Sequence, residues 1–310
     1  MYSPPWFLFN EHLETIYPSL FRKVRIYPYE HERISTQDDD FLDLFWLKQK
    51  LKRLVIISHG LEGNAHRAYV KGMARTFYEN EFDVLAWNYR GCGEEMNRTL
   101  RFYHSGATED LNQVVNHAIA QGYDELFLIG FSLGGNLTLK YVGERGVDSK
   151  IKGVVALSVP MDLYTSSLQI SRPSNWVYSR RFLKSLKKKI SAKARVMPAL
   201  NIAMLEKITT LEQFDDYYTG PLHGYINAKD YYQRCSAIGF LNSISVPTLI
   251  INAKNDPFLS KECFPAKIEN KYVKLETPSH GGHVGFTQLN KNGLYWSEER
   301  SLDFIRALNK

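Results

Sequence analysis

Gly130-Phe131-Ser132-Leu133-Gly134 has the Gly-x-Ser-x-Gly spacing of a nucleophile elbow, a sharp turn between a strand and a helix that exposes the serine. A serine hydroxyl is a weak nucleophile at neutral pH. It needs an imidazole to take its proton and a carboxylate to orient that imidazole. By composition alone the bare spacing arises by chance about 0.1 times in a chain of this length, so its context has to carry the reading. Phe127-Leu128-Ile129 supplies an apolar strand before the turn, and Leu137, Leu139 and Tyr141 begin a helical pattern after it.

On an elbow of this kind the acid and the histidine follow the serine in that order. Asp256, in Asn255-Asp256-Pro257-Phe258, lies just past an apolar run and is the expected acid; Asp162, also past a run, is its rival. His283, in Gly281-Gly282-His283-Val284-Gly285, is the expected base, because two glycines before it allow a close approach to the serine. His280 is its rival. The chemistry also needs N–H donors aimed at the oxygen that becomes negative. Leu133, directly after the serine, offers one, and Leu61, in His59-Gly60-Leu61-Glu62-Gly63, is expected to offer the other. His59 lies upstream of the serine and is read as structural.

The elements that must position these residues are legible as alternating strands and helices. Strands are expected at Phe21–Tyr29, Phe41–Trp46, Leu54–Ser58, Phe82–Trp87, Gly153–Ser158, Pro247–Asn252 and Lys271–Glu276, besides the one before Ser132. Asn10 is expected to cap a short first helix, and others are expected at 66–78, 108–121 and 297–308. The pattern predicts an α/β fold: one domain over 1–310, built on a mostly parallel twisted sheet flanked by helices and opened by an antiparallel pair. The alternation stops between residues 160 and 243, which are helical and irregular and rich in Lys, Arg, Tyr and Ser; this stretch is expected to be a helical lid.

Composition bounds the rest. With 44% hydrophobic and 23% charged residues, the chain reads as a globular protein with a sizeable core. No apolar run reaches the roughly 18 residues of a membrane span, and no secretory leader is evident, so a cytoplasmic protein is expected. Cys92, Cys235 and Cys263 are far apart, without Cys-x-x-Cys pairs or a His-Glu-x-x-His helix. That argues against a disulfide framework or a zinc site, and no metal is expected.

The motifs His12-Leu13-Glu14-Thr15-Ile16, Ser58-His59-Gly60-Leu61-Glu62-Gly63, Asn88-Tyr89-Arg90-Gly91-Cys92, His104-Ser105-Gly106, Gly130 to Asn136, Asn255 to Phe258 and Gly281 to Phe286 together resemble the YheT-like branch of the α/β-hydrolases. The resemblance covers most of the chain. It implies a Ser132, His283, Asp256 triad acting on carboxylic esters without a cofactor. The chain departs from the family pattern at Gly93-Glu94-Glu95-Met96-Asn97 and at Ala107, where an acidic residue is usual.

Arg180, Arg181, Lys184, Lys187, Lys188, Lys189, Lys193 and Arg195 fall together in the lid, while Phe182, Leu183, Leu186 and Ile190 recur at helical spacing. Such a helix either shows a solvated basic face or rests on an anionic membrane surface beside a lipid ester substrate. Nucleic acid is not expected, because no groove-reading motif accompanies the patch. Serine-based ester hydrolysis is the function expected. A lipase, phospholipase, thioesterase or acyltransferase on the same residues, or a non-catalytic ligand-binding protein, are the alternatives.

Overall fold

The computed structural model describes residues 2–144, 146 and 148–308. Eight strands form one sheet: β1 (Glu30–Ser35), β2 (Phe41–Leu47), β3 (Arg53–Ser58), β4 (Asp83–Asn88), β5 (Glu125–Phe131), β6 (Ile151–Leu157), β7 (Thr248–Ile251) and β8 (Val273–Glu276). Their order is β1-β2-β4-β3-β5-β6-β7-β8. β2 pairs antiparallel with β1 and β4, and every later pairing is parallel. The helices are α1 (Glu11–Phe21), α2 (Ala68–Tyr78), α3 (Thr108–Ala120), α4 (Leu133–Glu144), α5 (Leu163–Ile170), α6 (Trp176–Val196), α7 (Leu211–Phe214), α8 (Gly220–Leu222), α9 (Ala228–Cys235) and α10 (Trp296–Ala307).

The central strands are apolar throughout because both faces of the sheet are covered. Successive side chains point to opposite faces. Leu54, Ile56, Leu126, Leu128, Val154 and Ile250 join one core layer, with α3 and α4 supplying Leu111, Val114, Val115, Leu137 and Leu139. Val55, Ile57, Phe127, Ile129, Val155 and Leu249 join the other, where α2 and α10 supply Val70, Met73, Phe77, Leu302 and Ile305. Between β6 and β7 the described residues form helices and turns without a strand.

One expected strand is displaced. Residues 22–29 form no strand, and the antiparallel edge is Glu30–Ser35 instead. The first helix runs to Phe21 in spite of Pro18. β1 is a largely exposed edge whose pairing with β2, from Glu30 opposite Trp46 to Ser35 opposite Phe41, sets its position. Apolar alternation is a poor guide to such an edge, since only one apolar residue, Ile34, lies within it.

Candidate active site

Ser132 stands between the last residue of β5 and the first of α4. Its φ is +52°, a left-handed conformation that costs a non-glycine residue about 1–2 kcal/mol. Several bonds and close approaches over-determine that turn. Ser132 N–H donates to Leu157 O at 2.8 Å, continuing the parallel ladder, and its carbonyl accepts Asn136 N–H at 3.0 Å, starting the helix. The glycines let α4 close on the strands: a Cβ on Gly134 would lie 2.4 Å from both Ser58 O and His59 O, and one on Gly130 would lie 2.3 Å from Gly134 O. Asn136, fully buried, then ties the helix to the insertion by donating to Ser105 O and Cys235 O and accepting from Ala237 N–H.

Asp256 follows β7 and His283 follows β8, so both arrive at the carboxyl end of the sheet beside Ser132. His283 Nδ1 lies 2.8 Å from Asp256 Oδ2, and His283 Nε2 lies 3.0 Å from Ser132 Oγ. An ionised carboxylate only accepts, which places the ring proton on Nδ1 and leaves Nε2 free to accept from the hydroxyl. Asp256 Oδ1 is held by Phe258 N–H at 2.9 Å, and the Phe258 ring packs 4.2 Å from the imidazole. The rivals are placed elsewhere. Asp162 caps α5, accepting from Thr165 N–H and Thr165 Oγ1, and His280 is half-exposed against Glu14.

The loop after β3 lies against the serine, since a Cβ on Gly60 would stand 3.2 Å from Ser132 Cβ. Gly63 N–H bonds Gly60 O at 3.0 Å, closing a turn around Leu61 and Glu62. Leu61 and Leu133 both line the cavity that holds Ser132. As the first residue of α4, Leu133 carries an N–H without an intrahelical acceptor, at the positive end of the helix dipole. His59 is buried against Tyr89; it donates from Nδ1 to Gly60 O at 2.8 Å and accepts Tyr89 N–H on Nε2 at 3.3 Å. Burial pushes its pKa down to about 3, so it is a neutral strut.

The cavity has a volume of about 120 Å³ and opens to solvent. Its lining is largely apolar: Leu61, Leu133, Leu163 and Ile170, with Leu186 and Ile190 from α6 and Leu211 and Phe214 from α7. Among the described residues, no group of three or more His, Cys, Asp or Glu side chains is placed to hold a metal ion.

The roles of two segments were not visible in the sequence, although both segments are singled out there. Glu14 of α1 is buried and accepts from Gly281 N–H, Asn255 Nδ2 at 2.9 Å and His280 Nδ1 at 3.2 Å, while Thr15 Oγ1 accepts His283 N–H at 2.9 Å. The first helix thereby clamps both loops that carry Asp256 and His283. The basic helix also differs from a single outward basic face. Arg180, Arg181, Lys184, Lys188 and Arg195 are exposed, but Lys193 is fully buried and Lys189 turns inward. Lys189 Nζ bonds Glu62 at 2.7 Å and Cys92 Sγ at 3.3 Å; Lys193 Nζ bonds Asn97 Oδ1 at 2.8 Å and Arg101 O at 2.9 Å. Buried partners, not solvent, decide the orientation of these two side chains.

The model of the alpha/beta hydrolase fold family matches residues 53–288. YheT of Escherichia coli (strain K12) is 36% identical over 311 residues, an overlap covering 96% of this chain and 90% of that protein. The monoacylglycerol lipase of Saccharomyces cerevisiae (strain ATCC 204508 / S288c) is 30% identical over 269 residues, covering 83% of this chain and 60% of that one. Among solved structures, the Pyrococcus furiosus esterase Pf2001 superposes with a TM-score of 0.61 at 18% identity, over 92% of this chain and 98% of its own. The chain belongs to the α/β-hydrolase fold family, in its YheT-like branch.

Proposed function

We propose that the protein hydrolyses carboxylic esters through an acyl-serine intermediate, with Ser132, His283 and Asp256 as its catalytic residues. The observation that carries this reading is the unbroken line of polar contacts from Ser132 Oγ through His283 to Asp256, at 3.0 and 2.8 Å. Ser132 Oγ attacks the ester carbonyl carbon while His283 Nε2 takes the hydroxyl proton, and Asp256 keeps the imidazole in its tautomer and stabilises the imidazolium. The carbonyl oxygen, now negative, is met by the N–H groups of Leu61 and Leu133; removal of one such donor typically costs about 2.7–4 kcal/mol. Collapse expels the alcohol, which leaves with the proton from Nε2. Water, deprotonated by His283, then attacks the acyl-serine, releasing the acid and restoring Ser132.

The apolar cavity favours an aliphatic acyl chain, and the name of the yeast relative supports lipid esters as the substrate class. The helices between β6 and β7 act in this reading as the lid of a single domain. The outward part of α6 joins exposed Trp176 and Val177 to Arg180, Arg181, Lys184 and Lys188, a combination suited to an anionic membrane surface. Free Cys92, Cys235 and Cys263 support a reducing, cytoplasmic setting. No helix among the described residues is long and apolar enough to cross a membrane.

A panel of esters of increasing acyl length tests the reading. Ser132→Ala should lower kcat by about 10⁴ to 10⁶ on the best of them, and a rate near that of the wild type would contradict it. Co-sedimentation with anionic vesicles, lost in Arg180→Glu/Arg181→Glu/Lys184→Glu, tests the surface. Equal sedimentation with zwitterionic vesicles would contradict it.

A further inference from the structure

Four aromatic rings, those of His12, Tyr178, Phe258 and His283, run in series from α1 through α6 to the base. His12 stacks on Tyr178 of α6 with ring centroids 5.8 Å apart, and its Nδ1 lies 3.2 Å from Tyr178 OH. Tyr178 meets Phe258 in an edge-on geometry at 4.8 Å, and Phe258 packs 4.2 Å from the imidazole of His283. Phe182, one turn beyond Tyr178, adds a second edge-on contact to Phe258 at 6.0 Å. The head of α6 also holds the acid's loop. Asn175, fully buried there, donates from Nδ2 at 2.8 Å to the carbonyl of Pro257, which stands between Asp256 and Phe258.

Tyr178, Phe182, Leu186 and Ile190 recur every four residues, so they fall on one slanting stripe of α6. The first two rest on Phe258, and the last two line the cavity that holds Ser132. A cover over the cavity needs only the second pair. The first pair has a different use. The bonds from Asp256 and Ser132 hold the imidazole on opposite sides, at Nδ1 and Nε2, and leave its tilt about the line between them open. That torsion is broad for histidine, with no staggered well to fix it. The Ser132 bond is also given up when Nε2 carries the proton to the leaving alcohol. Packing by Phe258 then restrains the ring alongside the Asp256 bond, and Phe258 itself is wedged between the base and the two rings of α6.

We propose that Phe258 and Tyr178 are positioning residues for His283, so that α6 governs the chemical step as well as the shape of the cavity. The inference rests on the reading of Ser132, His283 and Asp256 as the catalytic residues. Steady-state kinetics on an acetate ester, too short to fill the apolar cavity, separates the two roles of α6. Phe258→Leu and Tyr178→Ala should each lower kcat about 10-fold or more with KM within about threefold, since a displacement of about 1 Å at a reacting group can cost 10²-fold. Tyr178→Phe keeps the ring and loses only the contact of its hydroxyl with His12, and should recover most of the kcat lost in Tyr178→Ala. Tyr178 is half-buried, so Tyr178→Ala stands as the test if Phe258→Leu does not fold. An effect confined to KM, a kcat in Tyr178→Ala within about twofold of the wild type, or an equal loss in Tyr178→Phe would overturn the inference. Ser132→Ala, run beside them, tests the underlying reading. Turnover that survives it removes the nucleophile and the inference with it, whereas Ser132-dependent turnover with kcat unchanged in Tyr178→Ala removes only the positioning role.

Discussion

Thr15 Oγ1 accepts the backbone N–H of His283 at 2.9 Å, although the two residues stand 268 positions apart in the chain. The hydroxyl in turn donates to Glu11 O at 2.7 Å, so α1 fixes the hydroxyl and the hydroxyl fixes the loop. Glu14, one residue earlier, holds Gly281 and Asn255, neighbours of the base and of the acid. The distance between Nε2 and Oγ therefore depends on a helix that contributes no reacting atom.

Thr15→Val keeps the branched shape and removes the acceptor. A displacement of about 1 Å at a reacting group can cost 10²-fold. The expected outcome is a kcat lowered by about 10- to 100-fold with KM within threefold, and recovery in Thr15→Ser. Steady-state kinetics on a short-chain ester checks it. A change confined to thermal stability would mean that Thr15 only holds the fold.

Glu62, in the turn beside Ser132, meets Lys189 of α6 at 2.7 Å, and Tyr103 OH and Ser185 Oγ add further bonds to the same carboxylate. Removing one partner of a buried pair leaves a charge uncompensated, at a cost of about 3–5 kcal/mol. Lys189→Met is expected to lower the melting temperature by about 6 °C or more. Glu62→Gln/Lys189→Met should recover part of that loss. Thermal unfolding of the single and double variants measures the coupling, and additive losses would contradict it.

Gly134 and Gly239 make a matched pair of substitutions. A methyl at Gly134 would stand 2.4 Å from two backbone oxygens of the β3 end, whereas one at Gly239 meets nothing within 4 Å. Gly134→Ala should destabilise by at least about 1–3 kcal/mol through overpacking. Gly239→Ala should stay within about 0.5 kcal/mol of the wild type. Urea unfolding distinguishes them.

Lys193 is fully buried, with Asn97 Oδ1 and Arg101 O as its acceptors, and burial lowers its pKa to about 7. The like charges of Lys189 and Arg90 push in the same direction and Asp40 pushes against them. Between that value and the ordinary lysine value near 10.5, the unfolded chain binds more protons than the folded one, so this group makes stability rise with pH. The stability of the wild type minus that of Lys193→Met should therefore increase from pH 7 to pH 10. A difference that is flat or falls over that window would contradict the assignment.

The sheet and its order of helices were readable because fully buried strands leave continuous apolar runs, such as Leu54 to Ser58, that no exposed segment imitates. β1 was not, because an edge strand held by its pairing to β2 carries little apolar signal of its own. Ser132, Asp256 and His283 could be picked out because each follows a strand and the chain order is fixed by the turn. Glu14, Thr15 and Asn136 lie in motifs that carry the family resemblance, but nothing local showed what they hold, because their partners are distant in sequence. Lys189 and Lys193 look like any other members of a basic run until Glu62 and Asn97 are seen beneath them.

Covalent trapping tests the central claim most directly. A fluorophosphonate, which loses fluoride to an activated serine, should leave one phosphonyl group per chain, located by peptide mass spectrometry on Ser132, with labelling slowed at least 100-fold in His283→Ala. No adduct on Ser132, or labelling unchanged by loss of His283, would contradict the account.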